Sequence, residues 1–391
     1  MLTVLRVLVW LPLVVGVYAY VLYPMLLRLV ARGHAVRVAP SDDAELPSIT
    51  ITVPCYNEER SIRDTLEALL ALDYPADRRQ ILVISDASTD GTDDIVREFA
   101  GRGVELCRLA ERRGKSAAEN AAGPLARGEI IVNIDATIRV APHALRALVQ
   151  SFADPTVGVA SGRDVSVPSV TEPPAAARGT GESGYVGYEM ELRALETQVQ
   201  SIVGASGCFY GIRASLYDSS FPETLSRDFA SALIAAENGY RAVSVNDALC
   251  FVPQTKSLMS EFRRKIRTMA RGLQTLWFKR HLLDPMQYGL FAWMLFSHKL
   301  ARWLVYPALV VAAVALVLMS VHSPVWLAVL ILAVTGVAIG IVGMRWPRER
   351  GTPPKVIRLA GFALASNLAG VLAWLQVIRG RELAVWEPTR R

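Results

Sequence analysis

Acidic residues close three short apolar runs, and their placement is the clearest chemical signal in this chain. Val53–Glu59 reads VPCYNEE, Ile84–Thr92 reads ISDASTDGT and Asn133–Thr137 reads NIDAT. Polar clusters just past the carboxyl ends of parallel strands lie where open α/β sheets bind ligands. Pro54, Tyr56, Asn57 and Glu58 suit a planar base and its ribose, and equally the cap of the helix that follows. Asp86 offers a carboxylate that can accept hydrogen bonds from a base or ribose, beside Ser88, Asp90 and Thr92, which suit a helix cap. Asp135 emerges from the apolar run IIVNI, where an ionised carboxylate is costly without a partner. A divalent cation, Mg2+ or Mn2+, is such a partner, because these ions take oxygen ligands and bridge diphosphates. Bound there, it would act as a Lewis acid toward a leaving diphosphate. Lys115, in RRGKSAAENAA, opens a helix where charge and free amides suit phosphate, or simply solvent.

These residues need elements to carry them. Ser48–Val53, Gln80–Ser85, Val104–Leu109 and Glu129–Ile134 read as short buried strands. Between them Glu59–Ala71, Thr92–Ala100 and Lys115–Ala126 have helical spacing. Strands alternating with helices predict a parallel sheet with helices on both faces. Tyr188–Val199 and Asp228–Gly239 continue as helices, and Ser166–Gly184, rich in Pro, Gly, Ala and Thr, reads as a mobile loop. Gly204–Arg213, GASGCFYGIR, is small-residue rich, which suits either a tight turn or close approach of a sugar ring.

The ends differ in character. Of the 391 residues, 52% are hydrophobic and the mean hydropathy is +0.30. Leu5–Leu27 is long and apolar enough to span a bilayer, with Arg28, Arg32 and Arg37 marking the cytoplasmic side. Three further runs follow, about Leu304–Val321, Val325–Met344 and Ile357–Ile378; Leu290–Phe296 is too short to span and suits the interface. Three C-terminal crossings are expected, although Arg379, Arg381, Arg390 and Arg391 favour the inside. The domains expected are 1–30 a membrane helix, 42–280 the catalytic part, 281–300 an interfacial helix and 301–391 about three spans. Net charge is +6, with Arg263, Arg264, Lys265, Arg267 and Arg271 crowded before the apolar region. That cluster suits anionic lipid headgroups or a diphosphate. Nucleic acid is not an expected partner, since no basic stripe interleaves with stacking aromatics. The four cysteines have no metal-ligand spacing and read as reduced thiols.

PCYNEE, ISDASTDGT, GKSAAENAA, NIDAT, GASGCFYGIR and SRDF, in that order, resemble the inverting family 2 glycosyltransferases. The likeness covers roughly Ser48–Trp277 and is greatest to the membrane-integrated branch of cellulose, hyaluronan and chitin-oligosaccharide synthases. It implies an α/β GT-A (Rossmann-like) catalytic domain with flanking transmembrane helices. It implies that Asp86 binds the uridine of a UDP-sugar, and that Asp135 contacts donor and metal. Asp228 matches the general base that deprotonates the acceptor hydroxyl, while Gly204, Ser206 and Gly207 fall in the acceptor-side loop. This sequence departs from the family pattern in three places. Thr137 replaces the second acid of Asp-x-Asp, Arg227 stands where an acid often precedes the base, and Gln-x-x-Arg-Trp is met only partly by Arg267, Arg271, Gln274 and Trp277.

The implied activity is hexosyl or N-acetylhexosaminyl transfer from a nucleotide-sugar to a growing poly- or oligosaccharide. The enzyme would be multi-pass in the cytoplasmic membrane, with its catalytic domain in the cytoplasm. One alternative loads a single sugar onto a polyprenyl-phosphate or other lipid acceptor. Another is a transporter or scaffold with a degenerate nucleotide-binding domain, but the C-terminal runs carry essentially no ionisable residues in mid-span.

Overall fold

The computed structural model describes residues 2–33, 46–167, 181–254, 258–347 and 351–381. The chain forms two compact units. One gathers Met1–Leu26, Thr255–Gln274 and Ala292–Glu382, the other Leu27–Gln254, Thr275–Phe291 and Leu383–Arg391.

The second unit is built on an eight-stranded sheet among the described residues. Its strands are β1 Ile49–Cys55, β2 Arg79–Ser85, β3 Val104–Arg108 and β4 Ile130–Ile134, then β5 Arg139–Val140, β6 Val157–Val167, β7 Phe209–Arg213 and β8 Arg241–Pro253. They lie in the order β3-β2-β1-β4-β7-β6-β8-β5. The pairs β1–β2, β1–β4 and β2–β3 are parallel, as the alternating pattern predicts. The parallel arrangement ends at β4, because β7 runs antiparallel to both β4 and β6, so the sheet is mixed. Half of the expected GASGCFYGIR loop is therefore a strand. Phe209, Tyr210 and Ile212 are buried on its two faces, which a small-residue count does not anticipate.

β1 and β4 are buried along their whole length, which explains their unbroken apolar reading. On one face Ile51, Val53, Val83 and Val132 pack with Ile62, Leu66, Leu145 and Leu148. On the other, Ile131 and Tyr210 meet Ala232 and Ala235, while Leu82 and Ile84 meet Ala118 and Ala122. Each such fully buried aliphatic side chain contributes about 1.5–3 kcal/mol. Three helices are shorter than their spacing predicts, the one from Thr92 ending at Glu98. The first starts at Ile62, since Glu58 O already accepts the amides of Ser61 and Ile62 in a preceding turn. The helix from Lys115 ends at Ala122, where a 3-10 turn containing Pro124 follows. Most of the loop expected at Ser166–Gly184 lies outside the described residues; Ser166 and Val167 close β6, and a helix begins at Gly181.

Four helices among the described residues are long and apolar enough to cross a membrane: Leu2–Gly33, Pro285–Ser320, Pro324–Met344 and Lys355–Ile378. Pro285–Ser320 joins the short run Leu290–Phe296 to the long one after it through a π-turn at Phe296–Leu300, and a bend at Gly289 precedes the short run. Within this unit Tyr18 and Ser297 share a 2.7 Å hydrogen bond, and Trp293 Nε1 donates to Tyr18 at 3.1 Å. Trp374 Nε1 donates to the Trp303 carbonyl at 2.9 Å, so the Trp293 and Trp374 indoles are satisfied within the bundle.

Candidate active site

The loops after β1 and β2 lock onto each other. Asn57, at φ 54°, accepts from Thr89 N at 2.8 Å, and its Nδ2 donates to Thr89 Oγ1 at 3.2 Å. Glu58 N donates to Thr92 Oγ1 at 2.8 Å, and Glu59 N to Asp90 at 3.3 Å. Glu58 Oε2 accepts from Ser61 Oγ at 2.7 Å. Asn57 and Glu58 thus hold the two loops together, and neither caps a helix through its side chain. Pro54 is buried in β1. The Tyr56 ring is covered by the Arg112 guanidinium, 3.8 Å from its centroid.

Asp86 leaves β2 2% exposed and spends both oxygens on backbone. Oδ1 accepts from Arg113 N and Oδ2 from Gly114 N, each at 2.8 Å. Gly114 sits at φ 100°, a conformation that favours glycine, and the helix Lys115–Ala122 starts immediately after it. Asp86 therefore fastens the approach to Lys115.

Lys115 joins the end of β4 to the loop before β7. Its Nζ donates to Asp135 Oδ1 at 2.5 Å and to the Gly207 carbonyl at 2.7 Å. Asp135 is placed by its own amide, which donates to Cys208 O at 3.0 Å, so the end of β4 is tied to the loop before β7. That loop approaches Asp228 closely. A Cβ on Gly207 would fall 2.8 Å from Asp228 Oδ2, so only glycine leaves the carboxylate where it is. Asp228 lies in the first turn of helix Arg227–Glu237, and its Oδ1 accepts from Ser226 Oγ at 2.6 Å. Burial disfavours the charge of Lys115, but Asp135, Glu119 and Asp228 overcome it and hold the ammonium well above its ordinary pKa. Lys115, Asp135, Gly207 and Asp228 thus form one constellation.

Glu119 belongs to the same cluster and was not singled out from sequence. It is 2% exposed, with Lys115 Nζ at 3.9 Å and Arg227 Nε at 3.9 Å. Burial pushes its carboxyl above the usual range, against the opposing pull of Lys115 and Arg227. Its position four residues after Lys115, on the same helix face, is the signal that could have found it.

Ser206 is buried and acts as a bracket. Its Oγ donates to Asp164 Oδ1 at 2.6 Å and accepts from Cys208 N at 3.1 Å, while its amide donates to Ser161 Oγ at 2.8 Å. Cys250 Sγ donates to the same Asp164 oxygen at 3.1 Å. Gly204 is buried at the start of the loop. All four cysteines are free, as their spacing suggests. Trp277 is 70% exposed, with the Arg280 guanidinium 5.1 Å from its ring. Arg267, Arg271 and Gln274 lie on helix Leu258–Phe278 and belong to the unit of apolar helices. Arg271 is buried there, and Gln274 Nε2 donates to the Arg381 carbonyl at 3.1 Å.

No group of three His, Cys, Asp or Glu among the described residues could enclose a metal. Mg2+-type ions at diphosphate sites do not need one, since one or two carboxylates suffice beside the phosphate oxygens. Asp135 fits that pattern: its carboxylate is 20% exposed and has a cation, Lys115, on one oxygen.

Three comparisons bear on this geometry. Residues 50–220 match the family model Glycosyl transferase family 2. The probable glycosyltransferase YdaM of Bacillus subtilis is 38% identical over 97 residues, 24% of this chain and 23% of that protein. The poly-beta-1,6-N-acetyl-D-glucosamine synthase of Staphylococcus aureus is 24% identical over 241 residues, 59% of this chain and 56% of that protein. The chain thus aligns with little more than half of that synthase and less than a quarter of YdaM. Among solved structures, the mannosyltransferase PcManGT of Pyrobaculum calidifontis, in complex with GDP-Man and Mn2+, superposes with a TM-score of 0.74 at 25% identity. That match covers 96% of this chain and all of the other. Together with the mixed sheet and the acidic residues gathered at its edge, these likenesses show that residues 50–220 belong to a family 2 glycosyltransferase domain and that the sheet unit has a GT-A fold.

Proposed function

We propose that the protein is a membrane-bound inverting glycosyltransferase that extends a poly- or oligosaccharide from a nucleotide-sugar donor on the cytoplasmic face. The observation that carries this reading is the Lys115 bridge, which ties Asp135 at the end of β4 to the Gly207 loop beside Asp228. Donor-side and acceptor-side groups thereby share one charged cluster. Asp228 takes the proton of the acceptor hydroxyl as that oxygen attacks the anomeric carbon, and the nucleoside diphosphate leaves from the opposite face. Lys115 supplies positive charge next to the departing diphosphate. Asp135, with the donor's diphosphate oxygens, would hold Mg2+ or Mn2+, which supplies Lewis-acid neutralisation when bound. The four apolar helices and the flanking arginines support a multi-pass arrangement in the cytoplasmic membrane. The likeness to a poly-N-acetylglucosamine synthase favours a glycan product, and the family resemblance implies a UDP-sugar donor. The near-complete superposition on a GDP-Man complex favours a GDP-sugar as the second reading.

The test is a panel of radiolabelled UDP- and GDP-sugars with membranes containing the protein, followed by sizing of the product. Labelled glycan is expected with one nucleotide class, and excess chelator should abolish its formation. Asp228→Asn should lower transfer by about 100-fold or more while donor binding persists. Undiminished transfer by Asp228→Asn would refute the base assignment, and undiminished transfer in chelator would refute the metal role of Asp135.

A further inference from the structure

Glu119 has no task in the transfer chemistry just described, yet it is buried among the groups that do. A carboxylate withdrawn from water is costly unless cations face it. Two do: Lys115 Nζ lies 3.9 Å from Oε1, and Arg227 Nε lies 3.9 Å from Oε2. Neither separation is a hydrogen bond, and Glu119 Oε1 and Arg227 Nε have no hydrogen-bond partner. The attraction is therefore coulombic and acts on both cations together.

Arg227 is held on its other sides. It is 4% exposed, donates to the Asn120 side chain and to Asp218 O, and lies over the rings of Tyr217 and Phe221. It is the residue before Asp228 and opens the same helix. Glu119 is thus flanked by the lysine that grips Asp135 and Gly207, and by the arginine that anchors the turn carrying Asp228.

We propose that Glu119 is a positioning residue that acts through Lys115 and Arg227 to hold the donor-side lysine and the Asp228 turn in one fixed geometry. This rests on the roles given to Lys115 and Asp228 under Proposed function. A neutral side chain at position 119 would leave two like charges facing each other across it, and the lysine would lose one of the carboxylates that hold it.

The test compares Glu119→Gln, Glu119→Asp, Arg227→Met and the double variant Glu119→Gln/Arg227→Met in the full-length, membrane-reconstituted protein. Turnover, donor KM and melting temperature are measured for each. Glu119→Gln is expected to lower kcat about 100-fold, as a small misplacement of reacting groups does, with donor KM changed less than about threefold. Its melting temperature should fall, because one partner of a buried pair is stranded. The double variant should regain melting temperature but not kcat, because Lys115 still lacks the Glu119 charge. Glu119→Asp, which keeps the charge, should turn over faster than Glu119→Gln. Recovery of kcat together with melting temperature in the double variant would overturn the proposal, and so would wild-type kcat in Glu119→Gln. If Glu119→Gln does not fold, the double variant and Glu119→Asp decide. Asp228→Asn separates the two readings: an active Asp228→Asn refutes the base, whereas an inactive Asp228→Asn beside a fully active Glu119→Gln refutes only the positioning role.

Discussion

Asp86 and Lys115 illustrate how differently two charged residues can serve one site. Asp86 accepts two backbone amides and is almost wholly buried, so its charge is used to fasten the Arg113–Gly114 turn. Asp86→Asn keeps the size but turns one acceptor into a donor facing an amide. A loss of about 2 kcal/mol is expected, since hydrogen bonds to charged groups contribute about 1.5–3 kcal/mol. Chemical denaturation in detergent measures it, and donor titration on the same samples should show weaker binding, because the turn leads directly into Lys115. Unchanged stability would mean that the turn holds without the carboxylate. The sequence marked Asp86, Lys115 and Asp135 by type and position, and Asp228 through the family resemblance. It did not mark Glu119, whose importance lies in what surrounds it after folding.

Elements show a similar division. Alternating apolar runs located β1 to β4 and their helices to within a few residues, because period and length are local properties. The direction of β7 is not local. Its place between β4 and β6 is set by which partners bury Phe209 and Tyr210. Between the apolar helices the decisive contact is made by glycine. A Cβ on Gly343 would fall 2.2 Å from the Ile357 carbonyl and 2.9 Å from Gly361 Cα, so Pro324–Met344 and Lys355–Ile378 touch backbone to backbone there. Gly343→Leu should destabilise the protein by about 1–3 kcal/mol, the usual cost of overpacking. Gly336→Leu, on the same helix with nothing within 4 Å of a Cβ, is the control and should have little effect. Thermal melting in detergent compares the two, and equal melting would show that the helix contact is not tight.

At the scale of the whole molecule, two kinds of surface coexist in one chain. The candidate spans expose Val, Leu and Ile side chains along their length, whereas the sheet unit carries exposed ion pairs such as Arg63–Glu98 and Arg102–Glu67. Exposed apolar surface on this scale needs a partner, and a bilayer is the partner that suits helices of this length. The protein is expected to stay in the membrane pellet through high salt and alkaline carbonate, and to leave it only in detergent. Release by salt would mean that the basic residues of helix Leu258–Phe278 hold it at the surface and the helices do not cross.

Composition and periodicity by themselves determined that this chain pairs an α/β domain with apolar helices, and which acidic residues end its strands. Those features depend on neighbours in sequence, so they are written in sequence. Tertiary structure alone decided that Lys115 reaches Asp135 and the Gly207 carbonyl, that Asp86 turns toward backbone amides, and that Glu119 faces Arg227. The reason is physical: a charged side chain takes its role from the dielectric and the partners around it, and those exist only once distant segments have packed together.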